Sequence, residues 1–225
     1  MLLILCGGLH FSHCEKLNCQ FKDGAFGYVG NVYYCSVTSF DNSLNSMTID
    51  GFTGVLKANK NYHNINGIWI YDTNTKYIPE GLGFLFNLTA LLVQNSNLIE
   101  IKAGNFLGMQ NLEYLSLYDN KITSVPSDAF STRTKLRYLS LAHNQIEVVP
   151  SNLFSNNMNL ENIDLNNNQI KYIGSGVFDQ LKKLKVVFLN YNICINKDFR
   201  DIIYNIKREL STNVSVSEYV FYTKN

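Results

Sequence analysis

The hydrophobic positions of this chain recur every 24 residues between Leu88 and Leu189. Each unit opens with a leucine and continues with alternating apolar and polar residues, as in Leu112, Leu115 and Leu117. Alternation with a period of two predicts a short strand with one buried face. A fixed repeat of this length predicts a solenoid in which equivalent strands stack as a parallel sheet. The opening leucines are Leu88, Leu112, Leu136, Leu160 and Leu184.

Two further positions of the unit are almost as regular. An asparagine follows each strand, where its amide can bond backbone groups of its own turn and of the next coil. The alternative is an exposed turn residue without such bonds. A phenylalanine in the returning half is predicted to stack from coil to coil along the interior. These residues are Asn120, Asn144, Asn168 and Asn192, and Phe106, Phe130, Phe154 and Phe178.

A degenerate unit precedes the regular ones. Ile65, Ile68 and Ile70 occupy its strand positions, and residues 48–54 predict one further rudimentary strand. We therefore expect six units, of which the last is truncated. The predicted domains are a signal peptide (1–14), an N-terminal cap (15–64), the repeats (65–193), and a C-terminal cap with a tail (194–225).

Residues 1–14 are apolar and lack a basic start, which predicts a signal peptide whose beginning is missing; a buried strand is the alternative. In the secreted chain that remains, we expect a disulfide between Cys19 and Cys35, which stabilises the fold by roughly 3 kcal/mol. Residues 21–37 predict a hairpin that turns at Lys22-Asp23-Gly24. Asn87 and Asn213 lie in glycosylation motifs.

Apolar residues at helical spacing after residue 198 predict a short amphipathic helix that covers the last coil. A free helix that awaits a partner is the alternative. Cys194 occupies an inward position, so we expect a buried thiol. A disulfide to a second chain, which would give a homo- or heterodimer, or to Cys14 is the other interpretation. The apolar helix positions are Phe199, Ile202, Ile203, Ile206 and Leu210.

Charge and composition exclude several classes of function. A net charge of +1 with interspersed acids and bases gives no case for binding nucleic acid. No stretch is long and apolar enough for a membrane anchor, and no residue spacing indicates a metal or cofactor. His143, Asp119 and Ser116 could be neighbours on the sheet, but an open sheet offers no oxyanion hole. We therefore expect no enzyme.

The outward strand positions are rich in aromatic residues. Tyrosine and tryptophan are enriched at binding hot spots, because they bury a large area with few rotatable bonds. The alternative is that these rings only pack against each other on a solvated sheet. The predicted partner-binding residues are Trp69, Tyr71, Tyr114, Tyr118, Asp119, Tyr138, His143, Phe188 and Tyr191.

The pattern LxxLxLxxNxIxxIPxxxFxxLxx is met closely at 112–130, 136–154 and 160–178, and it resembles the extracellular leucine-rich repeat family. Cys19-Gln20-Phe21, followed by residues 33–37, resembles the N-terminal cap of secreted leucine-rich repeat proteins of dipteran insects, which include relatives of the mosquito leucine-rich immune molecules. The coiled-coil segment of those molecules is absent here. The resemblance implies an α/β solenoid, a curved horseshoe with its parallel sheet on the concave side.

These observations together predict a secreted recognition protein that binds another extracellular protein, or a glycan, through the concave sheet. The family resemblance makes innate immunity or saliva plausible settings. One alternative is an extracellular matrix-type module that assembles with itself through Cys194 or an exposed sheet edge. Another is an inhibitor that covers the active site of an enzyme.

Overall fold

The computed structural model describes residues 14–26, 30–39 and 48–193. Short 3₁₀ helices lie at Tyr62–Asn64, Leu82–Phe84 and Ala103–Phe106. The strands of these ranges are β1 (Cys14–Phe26), β2 (Gly30–Ser39), β3 (Thr48–Thr53), β4 (Gly67–Tyr71), β5 (Ala90–Gln94), β6 (Tyr114–Ser116), β7 (Tyr138–Ser140), β8 (Val148–Val149), β9 (Asn162–Asp164), β10 (Tyr172–Ile173) and β11 (Val186–Phe188).

Nine of these strands form one sheet in the order β11-β9-β7-β6-β5-β4-β2-β1-β3. From β4 to β11 every neighbouring pair is parallel, and equivalent residues of successive units face each other, as Leu115 faces Leu139. A parallel register between repeats needs a return path of constant length, which the repeating unit supplies. The predicted solenoid with a parallel sheet is confirmed.

The interior is filled by the predicted inward residues. Every opening leucine of the regular units is at least 95% buried, and Phe106, Phe130 and Phe154 are completely buried. The ring centroids of successive phenylalanines lie 5.8, 6.4 and 6.0 Å apart from Phe106 to Phe178. The predicted phenylalanine stack therefore exists, and it links the coils on the side away from the sheet.

The repeated asparagines make the predicted bonds to their own turns, but their second set of bonds reaches back rather than forward. Oδ1 of Asn120 accepts from the backbone N–H groups of Ser96 and Leu98, and its Nδ2 donates to the carbonyls of Val93 and Leu117. Three of these four partners lie in the preceding coil. Asn144, Asn168 and Asn192 repeat the arrangement.

The N-terminal hairpin is formed by β1 and β2, and Cys19 and Cys35 are joined by a disulfide with Cα atoms 5.2 Å apart. The predicted turn at Lys22-Asp23-Gly24 is wrong, because these residues lie inside β1 and the chain reverses between Phe26 and Gly30. A Cβ at Gly24 would lie 2.9 Å from Cε1 of Tyr34. This glycine therefore makes room for a ring on the neighbouring strand instead of forming a turn.

Residues 48–53 form the predicted extra strand, but they do not form a coil of the solenoid. This strand, β3, pairs in parallel with β1 at the outer edge of the sheet, so the hairpin stands between it and β4. Cys14, the last residue of the predicted signal peptide, begins β1.

The returning halves of the coils contain a second sheet that the sequence did not predict, formed by β8 and β10. Within the described ranges the helical segments are 3₁₀ helices, so the helical part of the predicted α/β class is not seen there. The predicted C-terminal helix and Cys194 lie outside the described residues. In the described part of the chain, no helix has the length and apolarity to cross a membrane.

Candidate binding surface

The strand residues that point away from the phenylalanine stack form a continuous surface, which we call the outer sheet face. On β4, Ile68 and Ile70 are completely buried, whereas Trp69 is half-buried and Tyr71 is 52% exposed. The parallel register aligns equivalent outward residues in rows across the strands. The surface can therefore be described as a lattice. Each column holds the outward residues of one coil, and each row holds the residues at one repeat position in successive coils.

The first row of this lattice brings Tyr114 and Tyr138 together. Their ring centroids are 4.3 Å apart and their planes differ by 6°. Strand spacing in a sheet is about 4.8 Å, so two tyrosines at one register position of adjacent strands stack almost ideally. Each ring therefore covers one face of the other.

A second aromatic group lies toward the N-terminal end of the outer sheet face. The ring of Trp69 lies 6.1 Å from that of Tyr34 and 5.9 Å from that of Tyr71. Nε1 of Trp69 donates to Oε1 of Gln94 at 3.2 Å, and Nε2 of Gln94 donates to Oγ of Ser116 at 2.7 Å. The sequence missed Tyr34 because the hairpin was assigned to a separate cap.

Several positions predicted to point outward are covered by their neighbours. Leu92, Ser116 and Ser140 are at least 95% buried, as are Ala90 and Ala142. These smaller residues stand between larger side chains in the lattice, so water does not reach them. The aromatic rings thus rest on a packed layer, which fixes their positions.

The residue that follows each strand segment has a left-handed backbone, and together these residues form one edge of the outer sheet face. The φ angles are 55° at Asp72, 49° at Asn95, 55° at Asp119, 55° at His143, 51° at Asn167 and 57° at Tyr191. Asparagine and aspartate tolerate this conformation better than other non-glycine residues. We call this row the left-handed edge; the sequence showed its polarity but not its backbone.

His143 is held by its neighbours along the left-handed edge. Its ring lies 4.8 Å from the ring of Tyr118, and its Nε2 lies 3.1 Å from Nδ2 of Asn167. Ser116 is instead bonded to Gln94. The structure therefore gives His143 and Ser116 different partners and does not arrange them with Asp119 as a hydrogen-bonded triad.

Asp164 is a partly buried carboxylate on the outer sheet face, in register with Ser140 and Phe188. Its Oδ1 accepts from the backbone N–H of Asn166 at 3.1 Å. Burial raises the pKa of Asp164, against smaller lowering effects from that hydrogen bond and from His143. Alternation with the buried Ile163 and Leu165 is enough to place Asp164 on this face, but the sequence does not single it out.

A family model described as leucine rich repeat matches residues 86–146 and 134–193, the same segment that holds the stacked coils. Residues 86–193 are therefore leucine-rich repeats. Of the chains of known structure, 321 match it. One of them, a leucine-rich repeat protein of Leptospira interrogans, is 23% identical with a TM-score of 0.58 over 71% of this chain and 38% of its own. That similarity shows the shared fold, and this chain spans less than two thirds of that structure's length. No curated protein matches significantly.

The predicted partner-binding residues fall into two groups. Those from β4 to β7, with Gln94 and Asn95 of the intervening coil, form one continuous surface. Phe188 and Tyr191 belong to the coil of β11, which β9 separates from β7. Tyr191 is 64% exposed. The C-terminal pair is therefore not part of the main aromatic group.

A ladder of alternating charges crosses the coils at the start of the strands. Nη1 of Arg137 lies 3.5 Å from Oε2 of Glu113, and its Nε lies 2.8 Å from Oε1 of Glu161. Nζ of Lys185 lies 2.7 Å from Oε2 of Glu161. Hydrogen bonds from Arg137 and then from Lys185 lower the pKa of Glu161. These four residues are spaced by 24 in the sequence, so the repeat contains the signal from which the ladder could be predicted.

One of the two glycosylation motifs, that of Asn87, lies in the described part of the chain. Asn87 is exposed, and its Nδ2 donates to the backbone carbonyl of His63 at 2.9 Å. Asn213 lies outside the described residues.

Proposed function

We propose that this leucine-rich repeat protein is secreted and recognises another extracellular protein through the outer sheet face. Leucine-rich repeats are in general protein-interaction modules. The observation that carries the proposal is that Tyr71 and Tyr118 remain 52% and 39% exposed although the core beneath them is already closed. These rings add little to the core, whereas exposed rings on a rigid layer suit a protein interface.

Three features support the finer parts of the proposal. The Cys19–Cys35 disulfide is of the kind that persists in secreted proteins, and Asn87 is an exposed asparagine in a glycosylation motif. One face of each of the Tyr114 and Tyr138 rings is closed to a sugar ring by the other, which favours a protein partner over a glycan. Innate immunity or saliva remain the proposed settings, on the basis of the resemblance to dipteran proteins.

The test is a capture experiment with a matched control. The full chain, the double variant Tyr114→Ala/Tyr118→Ala and the control Met158→Ala/Tyr172→Ala are immobilised and exposed to extracellular fluid. Met158 and Tyr172 are 57% and 47% exposed and lie off the outer sheet face. Loss of two hot-spot rings should weaken partner binding by roughly 2 kcal/mol, about 30-fold, while the control binds like the parent.

Thermal unfolding of each variant shows whether lost binding reflects lost folding. If the tyrosine double variant still binds the partner with parental affinity, the outer sheet face is not the binding site. Light scattering addresses the self-assembly alternative, since a mass that rises with concentration would favour a matrix-type module over a monomeric recognition protein.

A further inference from the structure

The charge on the outer sheet face differs from that of the whole chain. The six strand segments with their left-handed edge residues (67–72, 90–95, 114–119, 138–143, 162–167 and 186–191) contain three aspartates and no lysine or arginine, whereas the chain carries a net charge of +1. Asp72, Asp119 and Asp164 stand in every second coil. Basic residues are thus excluded from the surface that we propose for binding.

Two of these aspartates follow directly after an exposed tyrosine. Tyr71-Asp72 and Tyr118-Asp119 occupy equivalent positions two coils apart, and both aspartates are exposed. Among the ion pairs of the described residues, none involves either carboxylate. A carboxylate beside an aromatic ring attracts a lysine or arginine side chain by both its charge and the ring quadrupole.

The third aspartate adds an independent observation. Asp164 is partly buried and accepts one backbone hydrogen bond, and no ion pair within the described ranges compensates its charge. A carboxylate that is shielded from water and has no cation beside it destabilises the folded state. Burial accordingly raises the pKa of Asp164. A cation supplied from outside would relieve this cost.

The charged residues along the opposite border of the sheet do not oppose this attraction. Glu113, Arg137, Glu161 and Lys185 pair among themselves and sum to zero charge. The negative charge of the outer sheet face is therefore not balanced by this border of the sheet.

We propose that the partner presents a basic, extended segment whose lysine or arginine side chains contact the two tyrosine–aspartate pairs and Asp164. This inference rests on the proposed function and specifies the class of partner. Two coils are about 10 Å apart at ~4.8 Å per strand, close to one turn of an extended polyproline II segment, in which three residues rise about 3.1 Å each and every third side chain points to the same side. Basic residues at every third position would therefore meet successive acidic coils.

A peptide of defined sequence tests whether the outer sheet face binds a basic segment. The probe is a fluorescent (Ser-Arg-Gly)₄ peptide, compared with its glutamine and glutamate counterparts by fluorescence anisotropy at low salt. The arginine peptide should bind, and the triple variant Asp72→Asn/Asp119→Asn/Asp164→Asn should weaken binding at least about tenfold. The control Glu80→Gln/Asp128→Asn/Asp179→Asn removes three acidic residues elsewhere and should change the affinity less than about twofold.

No binding of the arginine peptide, or equal weakening by both triple variants, would overturn the proposal. The rings are tested with Tyr71→Leu/Tyr118→Leu against Tyr71→Phe/Tyr118→Phe. The leucine pair should weaken binding about fivefold and the phenylalanine pair should retain it, because only an aromatic face attracts a cation. If the leucine and the phenylalanine double variants lose peptide affinity equally, the aromatic rings do not contribute to binding.

These results can be separated from those of the capture experiment. If the Tyr114→Ala/Tyr118→Ala variant loses its partner while the triple asparagine variant keeps full peptide affinity, the charge proposal fails and the proposed function stands. If that tyrosine variant retains its partner, the proposed function fails whatever the peptide shows.

Discussion

At the residue scale, single side chains in this protein satisfy several backbone groups at once. Asn144 is 93% buried, accepts from the N–H of Ile122 and donates to the carbonyls of Leu117, Leu141 and Ala142. No hydrophobic residue of similar size can do this, because each turn leaves both donors and acceptors unpaired. The repeated asparagine is therefore part of the backbone bonding of the solenoid.

Asn144→Ala should lower the free energy of unfolding by about 3 kcal/mol or more, because several buried backbone groups lose their partners. Urea unfolding measures the change. The control is Asn152→Ala, an exposed asparagine of the same unit that should change stability by less than about 0.5 kcal/mol. Similar values for the two variants would contradict the role given to Asn144.

A second residue-scale expectation concerns Glu161, whose pKa is lowered from the ordinary value of 4.5. A depressed carboxyl pKa stabilises the fold above the unfolded pKa and loses that contribution as the pH falls through the folded value. Glu161→Gln should therefore cost roughly 1 kcal/mol at pH 7, and the difference should decrease as the pH falls below about 4.5.

Chemical unfolding at a series of pH values gives this difference. Glu147→Gln, which removes an exposed pair with Lys171, is the control and should change stability less. A penalty for Glu161→Gln that stays constant from pH 7 to pH 3 would show that packing, and not charge, accounts for it.

At the scale of elements, the spacing between coils is set by places where backbones touch. Gly174 lies directly after β10, at the position that proline holds in the two preceding units, and its N–H donates to the carbonyl of Val149 at 2.8 Å. A Cβ there would lie 2.2 Å from the backbone nitrogen of Ser151. The second sheet thus depends on a glycine at this point.

Gly174→Ala should destabilise the protein by about 2 kcal/mol or more, since backbone atoms must move apart to admit the methyl group. Gly104→Ala is the matched control, because the nearest atom to its Cβ is Cδ1 of Leu107 at 3.8 Å. That variant should be neutral or slightly stabilising. Differential scanning calorimetry compares them, and equal melting temperatures would refute the close approach.

At the scale of the whole molecule, the chain is a stack in which each coil contacts mainly its neighbours. The hairpin of β1 and β2 continues the sheet through β4, so the disulfide holds one end of the stack. In such a structure a local change should propagate only a short distance.

Cys19→Ser/Cys35→Ser should therefore destabilise the N-terminal end, by roughly 3 kcal/mol if the loop entropy is lost in full. Hydrogen exchange should become faster in β1, β2 and β4, while the amides of β7 and β9 keep their protection. Uniformly faster exchange through all coils would show that the solenoid unfolds as a single cooperative unit.

Much of the fold could be predicted from local patterns. The buried leucines, the phenylalanine stack and the asparagine turns recur at fixed spacing, so the same structural assignment can be made independently in each unit. The turn near Gly24 was predicted wrongly, because packing of Tyr34 against this glycine uses it in a strand. The proposed binding residues were found by alternation. The position of Tyr34 required the pairing of the hairpin with β4, and the partial burial of Asp164 required knowledge of its neighbours.

The amino-acid sequence by itself determined that a repeating coil forms, because a regular pattern of apolar side chains has one efficient way to be buried. Only the tertiary structure decided which outward residues stay accessible, since their exposure depends on the rings in adjacent coils. It also decided that Asp164 is a partly buried carboxylate without an ion pair in the described part of the chain. Burial and charge compensation are properties of neighbouring strands, which a linear pattern does not contain.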